Sequence, residues 1–198
     1  MTQYTGASRD HVHSGRLFEQ VAPGKLRFTE GFMTVPSTLA SSLPSSARRA
    51  IGWAGLVAGS LDITAAAVLT HLEGKTQLHL FQAIAGGLLG MSSFDGGLAT
   101  ALLGAFFHFL IAFTTAAVFY AASRKLKFLV RHAIPSGLLY GVMINLFMGY
   151  VVLPLSAYHV KIALPPIAEL IKDLSIIMFL VGLPIALIVR KYSNQSAA

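Results

Sequence analysis

The sequence predicts an all-α membrane protein: a bundle of four transmembrane helices with a short interfacial or re-entrant helix after the first span. Three observations predict it. Hydrophobic residues make up 55% of the chain and charged residues only 12%, where soluble domains carry about 25% charged residues. Four apolar runs, about 50–72, 98–122, 133–155 and 170–189, approach the ~20 residues that a helix needs to cross a bilayer. Basic residues gather on one side of those runs: Arg48 and Arg49 before the first, Arg124, Lys125, Lys127 and Arg131 between the second and third, Arg190 and Lys191 after the fourth. The positive-inside rule then places both termini in the cytoplasm. Lys75, Lys161, Lys172, Glu73, Asp95, Glu169 and Asp173 fall on the outer side. Trp53, Tyr120 and Tyr192 lie near the inner interface, where aromatic rings anchor spanning helices.

Residues 1–47 read as a disordered polar tail, rich in Ser and Thr and without sustained periodicity. No apolar core follows its first basic residues, so it is not a signal peptide. Met33 offers an alternative start that would make residues 1–32 an over-extension. His11 and His13 alone are too few ligands for a metal. The membrane domain covers 48–191, and 192–198 form a short C-terminal tail. The twin arginines of "SARRAIGWAGL" match part of a Tat signal, but three further spans follow.

Between the first two spans, the apolar stretch from Leu78 to Met91 is too short to cross. Were it to cross, the "RKLK" loop would face outward, against the charge rule. Asp95, in "SSFDGG", is placed to cap the helix beginning near Gly97. Asp95, Glu73 and His79 together form a weak candidate for an external cation. Pro135 lies in the first turn of the third span, where its missing N–H is harmless, and Pro154 marks that span's end. Pro184 falls inside the fourth span, where it should free the Leu180 carbonyl and bend the helix. It is read as a kink, with a hinge as the functional alternative.

The stretch "GLVAGSLDITAAAV" sets Asp62 among apolar residues. At 100° per residue, Gly52, Gly55, Gly59, Asp62 and Ala66 share one arc of the first span. Gly97, Ala101, Gly104, His108, Ala112 and Thr115 share an arc of the second, and Gly137, Gly141, Asn145 and Gly149 form a stripe on the third. Small residues at this spacing let helix backbones approach closely. Each packing face thus carries one strongly polar side chain. At ~1.5 Å per residue, Asp62, His108 and Asn145 all fall within about 3 Å of the midplane.

A charge at a helix centre costs about 2.5–3.5 kcal/mol. The first span holds seven Ile, Leu or Val residues from 51 to 71, each returning roughly 0.3 to 0.6 kcal/mol. Asp62 cancels most of that drive, so the helix needs partners. The expectation is a shared Asp62–His108–Asn145 centre, with Asp62 either neutral or ionised against a protonated His108 and Asn145 bridging them. Two readings follow: interhelical hydrogen bonds that hold the bundle, or a proton or ion site.

Several classes are excluded. The +7 formal charge belongs to basic loops rather than to a nucleic-acid surface. With no cysteine there is no disulfide or thiolate metal site. No nucleophile elbow, P-loop or HExxH is present, so no catalytic residue, cofactor or metal is expected. Haem usually takes a strong axial ligand such as His. No second mid-depth histidine accompanies His108, since His71, His79 and His132 lie near the boundaries and His159 in an outer loop.

The segments "GGLATALLGAFFHFLIAFTTAAVFYAASRKL" and "GLLYGVMINLFMGYVVLPLSA" resemble uncharacterised bacterial multipass inner-membrane proteins, broadly the YagU-like group. The shared pattern is a long second span with a buried His, a basic inner loop, a glycine-bearing third span and a Pro-terminated outer end, over residues 50 to 190. The resemblance implies a bacterial inner membrane and four helices, and supplies no substrate or site residues. The leading functional reading is a structural or accessory inner-membrane protein, whose partners are the bilayer and either a homo-oligomer or another membrane protein. The alternative is a small proton- or ion-linked transporter or channel component working as an oligomer. A membrane enzyme comes third.

Overall fold

A computed structural model describes residues 45–158 and 166–195. Four helices are long and apolar enough to cross a membrane: Ser45–Leu72, Gly97–Lys125, Ala133–Leu155 and Ile167–Ser193. They are the first to fourth spans below. No strand occurs among the described residues. The chain is therefore an all-α membrane protein built as a four-span bundle.

The first helix starts at Ser45, so the last three residues of the expected tail form its opening turn, and Ala47 is fully buried. The rest of that tail, with His11, His13 and Met33, lies outside the described residues, as does His159. The last helical segment continues to Gln195, past the expected end of the domain. Arg48, Arg49, Arg124, Lys125, Lys127, Arg131, Arg190 and Lys191 are all exposed at one end of the bundle, called the basic end here.

The core sits in the basic half. Ala47, Ala50, Ala54 and Ala58 recur every three or four residues along the first span and are fully buried. Their small side chains admit Ala116, Phe119 and Tyr120 of the second span and Val181, Ile185, Ala186 and Val189 of the fourth. Tyr120 is part of this core and not an interfacial anchor, because its ring lies on the face that meets the alanine stripe. Trp53, by contrast, is 53% exposed. The first span packs on the second and fourth, and the third packs on the fourth. Packing between the second and third spans is slight. They meet at Tyr140, whose hydroxyl donates to the Thr115 carbonyl at 2.7 Å and whose ring lies 5.0 Å from that of Phe119. Beyond that point they diverge.

The short helix spans Gln77–Leu89. Thr76 caps it, accepting from the His79 N–H at 3.2 Å, and Gly90 ends it at φ 66°, a left-handed conformation that glycine adopts without strain. Thirteen residues rise about 20 Å, short of the ~30 Å hydrocarbon thickness, and the chain enters and leaves at the end opposite the basic one. A 3₁₀ helix, Gly90–Asp95, folds back against it. The buried Gln82 joins the two: its side-chain amide donates to the carbonyls of Phe94 at 3.3 Å and Gly97 at 3.2 Å. The His79 ring stacks on Phe94 with centroids 4.7 Å apart.

This hairpin corrects the expected role of Asp95. The residue closes the 3₁₀ helix, Gly96 becomes the N-cap of the second span, and no side chain caps that helix. The proposed cation set does not converge either, and among the described residues no group of three or more His, Asp or Glu does. Glu73 pairs with Lys75 at 2.8 Å, a hydrogen bond that holds its carboxyl below the usual range.

The two Gln82 bonds tie the short helix to the 3₁₀ helix at Phe94 and to the start of the second span at Gly97, whose carbonyl also accepts from the Thr100 hydroxyl at 3.1 Å. Gln82→Leu keeps the volume and removes both donors, so it should lower stability by about 1–3 kcal/mol. Thermal unfolding in detergent with the wild type alongside measures this, and an unchanged midpoint would contradict the role given to Gln82.

Candidate functional site

Two interruptions in helical regularity shape the interior. The third span runs as an α-helix over Ala133–Phe147 and then takes a π-helical turn, Met148–Val152, whose last step is a bond from the Leu153 N–H to the Met148 carbonyl. The fourth span does the same at Ile177–Gly182, with the Leu183 N–H donating to the Met178 carbonyl. Each wide turn ends just before a proline, Pro154 or Pro184. A proline ring clashes with the carbonyl four residues back and offers it no N–H, and an i→i+5 turn relieves that crowding. The structure shows a π turn ahead of Pro184, and Ile177 and Val181 from it line the interior.

The predicted packing glycines have distinct partners. Gly55 lies against Phe113, and a Cβ on Gly59 would stand 3.0 Å from the Ala112 Cβ, so the first two spans touch there. Gly104 lies against the Phe81 carbonyl of the short helix. Gly137 and Gly141 pack on the fourth span, where added Cβ atoms would come within 2.9 Å of the Gly182 carbonyl and 3.0 Å of the Ile177 carbonyl. Gly182 closes this contact, since a Cβ there would fall 2.6 Å from the Gly141 nitrogen. Gly149 corrects the expected stripe: nothing lies within 4 Å of its added Cβ. The π turn begins one residue earlier and rotates Gly149 out of the face that Gly137 and Gly141 share.

His108 lies one turn beyond Gly104 on the second span. Its Nε2 meets the Gly59 carbonyl at 2.8 Å. A carbonyl only accepts, so Nε2 carries the proton, and Nδ1 makes no hydrogen bond among the described residues. The bond forms where Gly59, having no side chain, lets the second span approach at Ala112 and Phe109. The ring also stands edge-on to Phe109, with centroids 5.3 Å apart and an 83° interplanar angle.

Asp62, half-buried one turn further along the first span, faces a cavity of about 270 Å³ that it shares with His108, Thr115, Ile144, Met148 and Ile177. On its other side, Asp62 shares a second cavity of about 240 Å³ with Asn145 and Asp173. Ala66 and Ile177 border both. The expected trio is therefore arranged in pairs around Asp62, and it is not the directly bonded cluster anticipated. Among the described residues, no hydrogen bond or ion pair joins Asp62 to His108 or to Asn145. Two causes are visible: His108 uses the nearer backbone acceptor, and the third span, which carries Asn145, packs on the fourth and leaves the second.

Asp173 was assigned to the outer boundary and is the residue that the sequence reading missed. It faces the cavity from the fourth span, and Ile176 and Ile177 follow it at helical i+3 and i+4 spacing on the same wall. That periodicity was the available signal. Its contact with Lys172, at 4.0 Å between half-exposed side chains, is a weak pair.

These features define a class: a polytopic α-helical membrane protein with ionisable side chains inside the bundle. No family model, no curated protein and no solved structure matches the chain.

The glycine contacts predict a contrast within one helix. Gly141→Val must push the third span off the fourth and should cost about 1–3 kcal/mol or more. Gly149→Val, in open space, should stay within about 0.5 kcal/mol of the wild type. Parallel unfolding titrations in mixed micelles read both, and equal effects at the two positions would refute the assigned packing.

Proposed function

We propose that this is a bacterial inner-membrane protein that binds and exchanges a proton or small monovalent cation at Asp62, as part of a small ion-linked carrier or channel component. The observation that carries the reading is the state of Asp62. It sits near the middle of a spanning helix, no hydrogen bond or ion pair reaches it among the described residues, and space opens on both sides of it. Ionisable groups inside membranes mark ion or proton paths when they are not paired. A purely structural reading accounts for the His108–Gly59 bond, worth about 0.6 kcal/mol as an interhelical contact. It gives no account of a carboxyl placed between two cavities.

The second cavity supplies a route. Asp173, Asn145 and Asp62 line it from the fourth, third and first spans, so an ion entering from the end opposite the basic one meets oxygen ligands along the way. On the far side of Asp62, the Nδ1 of His108, a neutral acceptor nitrogen on the ring that lines the same cavity, is a suitable proton partner.

The basic end supports an orientation with both termini cytoplasmic, and the likeness to the YagU-like group supports the bacterial inner membrane. A reporter fused after Lys127 should then read as cytoplasmic, and a periplasmic signal would overturn the orientation.

Asp62→Asn separates the functional reading from the structural one. Asparagine keeps the shape and loses the titrating group. The variant should fold, lose the pH-dependent carboxyl band in infrared difference spectra, and lose pH-driven ion flux in reconstituted vesicles. A fully retained band and flux would remove the proposal.

A further inference from the structure

The divergence of the second and third spans leaves a crevice beside the Asp62–His108 cavity. One chamber of about 500 Å³ lies between these spans, and another of about 680 Å³ continues toward the short helix. Ile111 and Met148 border both chambers and also the Asp62–His108 cavity, so the three spaces adjoin. Leu80 and Ile84 of the short helix close one side, and Phe107, Tyr140 and Phe147 supply aromatic faces.

The polar groups along this crevice are already used. The Tyr140 hydroxyl donates to the Thr115 carbonyl and the Tyr158 hydroxyl to the Ala83 carbonyl, at 2.7 Å and 3.0 Å. Thr114, Thr115 and Ser156 donate to carbonyls of their own helices, at 2.7, 2.9 and 2.6 Å. With their protons committed, these hydroxyls can only accept, so an anion or any ligand that needs donors would be costly to bury there. The Asp62 carboxyl and the His108 Nδ1, both at the inner end, are likewise acceptors. The complementary ligand has a bulky apolar body and one positive charge.

We infer that the crevice between the second and third spans binds a lipophilic organic monocation, which enters from the bilayer side and is neutralised by the Asp62 carboxylate. The inference rests on the proposed ion-exchanging role of Asp62 and names a substrate class for it. The aromatic faces add cation–π attraction, which strengthens where water is excluded. Charge balances simply: the cation takes the place of a proton on Asp62, and that proton leaves through the cavity shared with Asn145 and Asp173. The titratable groups facing Asp62 are His108 from the second span and Asp173 from the fourth. Among the described residues, the third span contributes Asn145 and the short helix Leu80 and Ile84, none of which titrates.

The test is equilibrium binding of tetraphenylphosphonium to the full chain in nanodiscs, with empty nanodiscs as the partition control. Saturable binding should weaken as pH falls, because protons compete for the same oxygen atoms. Asp62→Asn should weaken it by about tenfold or more, and Val152→Trp, which fills the crevice and leaves the carboxyl in place, should weaken it several-fold. Uptake no greater than in empty nanodiscs, binding independent of pH, or equal affinity in a folded Asp62→Asn would each overturn the inference. The pH competition and Val152→Trp arms hold even if Asp62→Asn fails to fold. The infrared carboxyl signal, recorded without the cation, reports separately on Asp62: if it persists while cation binding is absent, the ion-exchange reading stands and the substrate class falls.

Discussion

An imidazole N–H inside a bilayer has to find an acceptor, because no water is there to serve it. The His108 Nε2 finds the Gly59 carbonyl at 2.8 Å, and this bond sets the conditions for everything around it. It ties the second span to the first at mid-depth. At the same level the second span comes so close that a Cβ at position 59 would stand 3.0 Å from the Ala112 Cβ and 3.1 Å from the Phe109 ring. The bond also commits the His108 Nε2 to the backbone, so that only Nδ1 is left on the ring for the cavity shared with Asp62. The carboxyl is then left between two cavities, and the cost of keeping it in the membrane, about 2.5–3.5 kcal/mol, must be met by packing elsewhere.

That packing lies in the basic half. Ala47, Ala50, Ala54 and Ala58 bring the first span close to the second and fourth, and Gly137, Gly141 and Gly182 bring the third onto the fourth at backbone contact. Both sets use small residues because, in lipid, helices associate through close van der Waals contact rather than through exclusion of water. The same arrangement dictates where the bundle is loose. With the third span committed to the fourth, and the second to the first, the second and third separate beyond Tyr140. The Gln82 hairpin closes only part of that opening, against Gly104.

The number of spans and their approximate positions were legible in the sequence because hydropathy and charge act over whole helices, while the helix ends, such as Ser45 on the first span and Ser193 on the fourth, run past the apolar runs. The short helix was legible because its apolar length is too small to cross. The face that carries Gly55, Gly59 and Asp62 followed from helical periodicity alone. The partner of His108 did not, since a backbone carbonyl has no residue letter to mark it. Asp173 was hidden by its neighbours Lys172 and Glu169, whose charges made the segment read as boundary. Gly149 was misplaced because the stripe assumed 100° per residue through a turn that widens at Met148. Pro154 and Pro184 were the only hints of those turns, and a proline signals that a helix must deform without saying whether it bends or widens.

The two wide turns have a consequence for the interior that regular helices would not give. Met148 and Ile177, one on each turn, both line the Asp62–His108 cavity. A π turn inserts an extra residue per turn and shifts the following side chains around the helix axis. Straight α-helices through these positions would therefore present different side chains to Asp62. The site depends on the prolines through this shift in register, although neither proline touches the carboxyl. The fourth span makes the dependence strongest: Gly182, the last residue of its wide turn, is also the residue pressed against Gly141. The turn that shapes the cavity wall and the contact that holds the third span are thus the same few residues, so the geometry around Asp62 cannot relax without loosening the bundle.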